Sequence, residues 1–253
     1  LRDADPQQLL DLLSRLSGLE HTVLYYGPLS EAGLSDLLAK EHQTPAQLKP
    51  VPEGQPYTRE LTPVNEVWIS PYDAKNIYMR MYHNEGREYR VNETATVGLF
   101  NEYFGSGMNG IVFQEMREAR GLAYNAYASY YRPEKLGEKE MFYTHIITQN
   151  DKMMDCINHF NEILNELPAS EAAFRIAKEC VTKQMASSRA RKTGVINRYI
   201  MMKRMGFDRD MYADIYRDMQ PLTLDDIVRF EKANMSHKPF RYIILGDEKE
   251  LDM

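Results

Sequence analysis

The chain has 253 residues, of which 43% are hydrophobic and 27% are charged, and its formal net charge is −6. A chain of this length buries a core without disulfides or metal, so the composition excludes a disordered, a collagen-like or a disulfide-scaffold protein. The acidic balance argues against a general attraction to nucleic acid, and no apolar stretch approaches the ~18 residues that would predict a membrane span.

The N-terminal part, residues 1–45, predicts a helix, a short strand and a second helix. Leucines recur at helical spacing over residues 9–16, and the apolar run over residues 21–27 favours a buried strand. The chain starts at Leu1 and shows no basic, apolar leader, so we expect a fragment or a mature piece without a visible signal peptide. Residues 46–66 are rich in proline and predict an extended linker.

Residues 67–253 predict a single α+β domain. Strand patterns occur over residues 77–82, 121–131, 141–147 and 240–247, and helix patterns occur over residues 92–104, 111–120 and, as four or five helices, 151–235. Because strands and helices do not alternate strictly, we expect a mainly antiparallel sheet with helices packed on one face.

A helix, a short turn, an apolar strand and a glycine occur in this order twice, over residues 9–27 and over residues 224–246. Two interpretations stay open. The repeat is the ordinary recurrence of helix, strand and glycine in any αβ protein, or it shows that the chain begins near the end of one structural unit and runs to the end of a second.

The histidine spacing argues against a zinc site within this chain. The closest two of the six histidines are 14 residues apart, so no pair shares one helix face. His159 and Glu162 are one turn apart, but Ile163 stands where a second ligand would be needed. Residues 105–110 match G-x-G-x-x-G, yet they follow a helix pattern and therefore predict a helix-ending turn, with a nucleotide-binding oxidoreductase as a distant alternative.

A basic segment, residues 181–207, contains seven lysines and arginines and no acidic residue. Two interpretations stay open for it. It forms a solvated helix face, or it forms a basic surface that attracts acidic segments of a polypeptide or, as the less favoured partner, nucleic acid.

The segment over residues 99–131 resembles the pitrilysin/insulinase family of zinc metallopeptidases, in the pattern of that family's second domain. The matching positions are a helix, a glycine turn at residues 105–107, then residues 112–114, Arg117, residues 121–122 and Tyr124. The elements before and after this segment match in order, so the similarity extends over nearly the whole chain. The sequence departs from the family at residues 109–111, where Ser-Ser-Arg is usual.

The resemblance implies the non-catalytic C-terminal domain of such a peptidase, because the family's H-x-x-E-H motif is missing. It implies that this chain holds no cofactor and that zinc belongs to a catalytic half, either in the same full-length protein or in a partner subunit. The chain alone is expected to be inactive and to bind a polypeptide substrate. Some members of the family serve instead as structural or assembly subunits, which remains the alternative.

Two residues of this chain occupy the positions of the family's substrate-clamping pair, Arg117 and Tyr124. A guanidinium fork holds a carboxylate bidentately or donates to a peptide carbonyl. A phenol donates to the oxyanion formed when zinc-bound water attacks a peptide. Without the resemblance, Arg117 would be interpreted as a surface helix residue and Tyr124 as a packing residue of a strand.

Overall fold

The computed structural model describes residues 5–54, 57–188, 190–247 and 249–250. Some residues of the predicted regions lie outside the described ranges: residues 1–4, 55–56 and 251–253, Arg189 and Glu248. The chain divides into two compact units, of which the first comprises Leu1–Thr58 with Ala190–Arg198 and the second comprises Arg59–Arg189 with Tyr199–Met253. The second unit therefore begins within the segment predicted as a linker.

The first unit contains two helices, α1 Pro6–Leu16 and α2 Glu31–Glu41. The side chains of Asp5 and Ser30 accept hydrogen bonds from backbone N–H groups of the first turns and cap these helices. The strand predicted over residues 21–27 is absent from the structure, although these residues are described. The reason is physical, because a strand forms only beside a partner that satisfies its backbone groups.

The second unit is built on a five-stranded sheet. Its strands are β1 Glu66–Pro71, β2 Asn76–His83, β3 Asn125–Tyr131, β4 Met141–Gln149 and β5 Arg241–Gly246. They lie in the order β1-β5-β2-β4-β3. The β1–β5 pair is parallel and the other pairs are antiparallel, so the predicted mainly antiparallel sheet is confirmed. No sequence pattern predicted β1.

Helices cover one face of this sheet, as expected for the predicted α+β fold. The remaining helices of the described residues are α3 Thr94–Phe100, α4 Ile111–Phe113, α5 Met153–Asn165, α6 Glu171–Ser187, α7 Gly194–Arg204, α8 Met211–Met219 and α9 Leu224–Asn234. Along β2, Ile77, Met79 and Met81 are fully buried, whereas Tyr78 and Arg80 between them are exposed. This alternation shows which face carries the core.

The core is centred on a cluster of phenylalanine rings. Phe104 packs against Phe100, Phe142 and Phe160, with ring centroids 5.3, 6.4 and 6.3 Å away. All four side chains are fully buried. The cluster therefore joins the end of α3 to β4 and α5, and it fixes the position of the turn that follows α3.

That turn closes the outer edge of β3. Helix α3 continues as a wider π turn, Asn101–Gly105. The Asn101 amide donates to the carbonyl oxygen of Tyr130 at 3.0 Å and accepts from its N–H at 2.7 Å. A Cβ atom on Gly105 would lie 1.9 Å from the carbonyl oxygen of Ala128, so glycine is required for this approach. At these two residues the edge of β3 is not open to an added strand.

Candidate functional site

The two residues of the predicted clamping pair lie side by side at the surface. Arg117 lies in the π turn Gln114–Ala119 that extends α4, and Tyr124 directly precedes β3. The guanidinium carbon of Arg117 is 5.8 Å from the centre of the Tyr124 ring and 5.0 Å from that of Phe113. The guanidinium thus lies within about 6 Å of two aromatic ring centres, a distance at which aromatic rings attract a cation.

The turn between Arg117 and Tyr124 is held by the backbone. Gly121 has a φ of 57°, which permits the sharp reversal after the helix, and its N–H donates to the carbonyl of Arg117 at 3.0 Å. The carbonyl oxygen of Leu122 accepts from the hydroxyl of Thr148 at 2.6 Å. The N–H of Tyr124 donates to the carbonyl of Ile147 in β4 at 2.9 Å. A fixed turn therefore sets the distance between the two side chains.

Both side chains keep their polar groups accessible. The Tyr124 residue is 77% exposed and the Arg117 side chain is 46% exposed. The nearest carboxylate to Arg117 is that of Glu118, whose oxygen lies 3.7 Å from Nε. Among the described residues no acceptor lies within hydrogen-bond distance of the terminal nitrogens of Arg117. The guanidinium fork can therefore donate to a carbonyl or carboxylate group brought from outside.

A shallow groove runs beside this pair. It is lined by Ser106, Gly107 and Met108 of the glycine turn, by Phe113, and by residues 125–127 at the start of β3. Phe113 belongs both to the groove and to the rings around Arg117. Asn125 of the groove directly follows Tyr124, so the predicted pair lies next to the groove.

The described residues do not fit a zinc site. His159 is buried on α5, and its Nδ1 lies 2.9 Å from a carboxylate oxygen of Glu162, while its Nε2 lies 3.7 Å from one of Glu115. Within the part of the chain that the structure describes, no group of three or more His, Cys, Asp and Glu residues could hold a metal ion.

Two other predicted features take structural roles or remain open. The G-x-G-x-x-G stretch lies between α3 and α4, as predicted for a helix-ending turn, and it does not follow a strand. In the basic segment, Lys183 pairs with Glu179 at 3.0 Å and Lys203 with Asp208 at 3.5 Å, both at the surface. Part of its positive charge is thus neutralised by acidic residues of the same unit.

Sequence reasoning included Phe113 in the family pattern but did not predict its contact with Arg117. It also missed a row of side chains on the open face of the sheet, which is the face opposite the helices; the row consists of Trp68, Ile243, Arg80, His145 and Tyr127. Phe113 precedes Arg117 by four residues, and this spacing on a helix predicts a contact between the two side chains. For the open face no such local signal exists, because its members come from five strands that are distant in the sequence.

A sequence profile described as the peptidase M16 inactive domain matches residues 3–179. This range covers residues 3–58 of the first unit and residues 59–179 of the second, and it includes Arg117 and Tyr124. The match confirms the resemblance found in the sequence. No curated protein matches the chain significantly. Among the described residues, no helix is long and apolar enough to cross a membrane.

Solved structures with the same fold come from peptidases and related proteins. A peptidase M16 inactive domain from Pseudomonas fluorescens has a TM-score of 0.66 at 16% identity, covering 87% of this chain and 52% of its own. The periplasmic protease PqqL from Escherichia coli has a TM-score of 0.65 at 12% identity, covering 88% of this chain and 25% of its own. A variant of the ferredoxin protease FusC, in complex with Arabidopsis ferredoxin, has a TM-score of 0.70 at 10% identity. The match covers 97% of this chain and 27% of the FusC chain. The chain thus spans from a quarter to about half the length of these proteins.

Proposed function

The chain belongs to the peptidase M16 inactive-domain family, and we propose that it is the non-catalytic, polypeptide-binding module of an M16 zinc metalloendopeptidase. The observation that carries this proposal is the exposed Arg117–Tyr124 pair beside a groove. In this proposal the module grips an extended polypeptide, and another part of the peptidase cuts it.

The geometry supports a clamp of this kind. The terminal nitrogens of Arg117 lack protein acceptors among the described residues, and the rings of Phe113 and Tyr124 lie beside the guanidinium without neutralising it. A peptide carbonyl or a carboxylate would be the acceptor for its fork. The exposed hydroxyl of Tyr124 would donate to the oxygen that becomes negative when a peptide bond is attacked.

Catalysis would belong to a zinc-bearing half that carries the H-x-x-E-H motif, in the same full-length protein or in a partner subunit. When bound there, zinc would polarise the peptide carbonyl and activate water. The residues described here would only bind and orient the substrate. The isolated chain is therefore expected to show no zinc-dependent peptide cleavage. One tightly bound zinc per chain with chelator-sensitive proteolysis would contradict this expectation.

We also propose that residues 1–45 close a preceding unit and that residues 46–66 link it to the domain over residues 67–253. In the second unit, α9 buries Leu224, Ile227 and Phe230, and β5 lies between two strands. In the first copy of the repeated order, over residues 9–27, the leucines of α1 are between 50% and 59% exposed, and residues 21–27 pair with no strand. The exposed leucines of α1 are Leu9, Leu10, Leu12, Leu13 and Leu16. An exposed apolar face of this kind is typical of an interaction surface, which supports the proposal.

Amide hydrogen exchange tests the proposed boundary. Residues 21–27 should exchange rapidly in this chain and slowly when the catalytic half is present, because a partner strand would then protect their N–H groups. Equally rapid exchange in both proteins would refute the boundary, and protection of β5 in both serves as the control.

Peptide turnover by the complete peptidase tests the clamp. We expect Arg117→Ala to lower kcat/KM by about 10- to 100-fold, the effect of losing a hydrogen bond from a charged group, and Tyr124→Phe by up to about 10-fold. The matched control is Arg120→Ala, which removes an exposed arginine from the same turn. All variants should unfold at the same temperature as the wild type. If Arg117→Ala and Arg120→Ala behave alike, the clamp is wrong.

That outcome would favour the second candidate, a non-enzymatic structural or assembly subunit of the same fold. It would be supported further if the complete assembly formed normally, turned over no peptide, and depended on the exposed leucines of α1 for its association.

A further inference from the structure

The face of the sheet opposite the helices carries a row of side chains that crosses all five strands. Trp68 pairs with Ile243, Ile243 with Arg80, and His145 with Tyr127. Arg80 and His145 face each other between the Met79–Ile146 and Tyr82–Tyr143 pairs of β2 and β4. Arg80 therefore lies at the centre of this open face, on the central strand.

The five strands contain two arginines, and their surroundings differ. The Arg241 guanidinium stacks over Trp68 at 4.1 Å and forms ion pairs with Glu66 at 2.6 Å and Glu60 at 2.7 Å. Arg80 is exposed, and within the described ranges no carboxylate lies within ion-pair distance of it. Its guanidinium carbon lies 6.0 Å from the centre of the Tyr143 ring. Two carboxylates therefore neutralise Arg241, whereas Arg80 has no counter-ion among the described residues.

Aromatic side chains share the open face with Arg80. The ring of Tyr127 is 5.3 Å from that of His145 and 6.4 Å from that of Tyr143. Tyr78, two residues before Arg80 on the same face, is 40% exposed. Rings at this spacing present apolar area to a ligand beside the exposed guanidinium.

His145 adds a second basic group to the same place. Its Nδ1 is buried and has no hydrogen-bond partner among the described residues. Burial, and to a lesser degree the nearby Arg80, lower the pKa of His145. A carboxylate placed beside Arg80 would favour the protonated imidazole. Binding of an anion here should therefore take up a proton and tighten as the pH falls.

We propose that Arg80 and His145, with Tyr78, Tyr127 and Tyr143 on the same face, form a subsite that binds a carboxylate side chain of an acidic polypeptide segment. The inference rests on the proposed polypeptide-binding function and names the class of segment bound. Charge complementarity supports it, because the guanidinium of Arg80 has no carboxylate within ion-pair distance among the described residues. The net charge of −6 repels acidic polypeptides in general, so a preference for an acidic segment would depend on this local site.

Fluorescence anisotropy with two labelled, extended peptides tests this subsite on the full chain. The peptides are identical except that glutamates in one are glutamines in the other. We expect the glutamate peptide to bind about 10-fold more tightly at pH 7.5, by the strength of an arginine–carboxylate bond, and the ratio to rise at pH 6. Arg80→Gln should abolish the ratio without changing the affinity for the glutamine peptide, and Arg80→Lys should retain part of it.

The matched control is Arg229→Gln, which removes an exposed arginine from α9 on the helix-covered side and should leave the ratio unchanged. Equal binding of the two peptides, or a ratio that Arg80→Gln leaves intact, would overturn the subsite even if Arg117→Ala weakens both peptides. Binding of neither peptide would overturn the subsite together with the proposed function. Tighter, Arg80-dependent binding of a single-stranded oligonucleotide would assign this face to nucleic acid instead.

Discussion

A buried carboxyl group in α9 makes the stability of the domain depend on pH. Glu231 is fully buried, and neither of its carboxylate oxygens has a hydrogen-bond partner among the described residues. Burial raises the pKa of this side chain from its usual 4.5 to about 7, against a smaller opposing effect of Lys232. The folded protein therefore binds this proton over a pH range in which the unfolded chain has lost it.

The sign and the size of the effect follow from this difference. The pKa is higher in the folded state, so the contribution of Glu231 is fully present below pH 4.5 and is lost as the pH rises through about 7. The difference between the two pKa values corresponds to a decrease on the order of 3 kcal/mol in the free energy of unfolding. Glu231→Gln keeps the shape of the side chain and removes the titration.

Urea unfolding followed by far-UV circular dichroism between pH 5 and pH 8.5 measures this effect. The wild type should lose stability across this range relative to Glu231→Gln, so that the variant is the more stable protein at pH 8.5. Glu179→Gln is the control, because Glu179 is exposed and paired with Lys183, which lowers its pKa and moves its titration below this range. Parallel stability curves for the wild type and Glu231→Gln would refute the reasoning.

Three further predictions concern packing in the second unit. Gly105→Ala should lower the free energy of unfolding by about 1–3 kcal/mol because its Cβ would collide with a carbonyl of β3, and an unchanged denaturation midpoint would contradict this. Asn101→Ala should cost about 1–3 kcal/mol in the same assay, since it removes both bonds to the Tyr130 backbone. Iodoacetamide should label Cys180 in the native protein before Cys156, which is fully buried, as peptide mapping would show; equal labelling would indicate an open core.

The sequence predicts those strands whose residues alternate between a buried face and an exposed face. Strand β2 alternates between buried and exposed residues, and this period identifies it without any tertiary information. Strand β1 has no such alternation, because it is an edge strand with Val67 and Trp68 exposed. Residues 21–27 are apolar enough for a strand, but pairing depends on a neighbour, which a local pattern does not specify.

The same distinction holds for the candidate sites. The Arg117–Tyr124 pair lies within one helix–turn–strand segment, so its spacing in the sequence determines its spacing in space. Arg80 and His145 face each other only because β2 and β4 pair in one register, with the Met79–Ile146 pair beside them. A shift of one residue would place either side chain in the core. The register between strands that are distant in the sequence depends on the packing of the whole core, so no local sequence motif predicts it.

The first residues of β3 connect the proposed clamping pair with the proposed subsite on the open face. Tyr127 lines the groove beside Arg117 and Tyr124, and its ring also contacts His145. From Tyr127 to Arg80 the sheet crosses two strand spacings, about 10 Å, which an extended polypeptide covers in about three residues. A segment held at the groove would therefore reach Arg80 within a few residues. Its two contacts would reinforce each other, because the second forms at the high local concentration that the first provides.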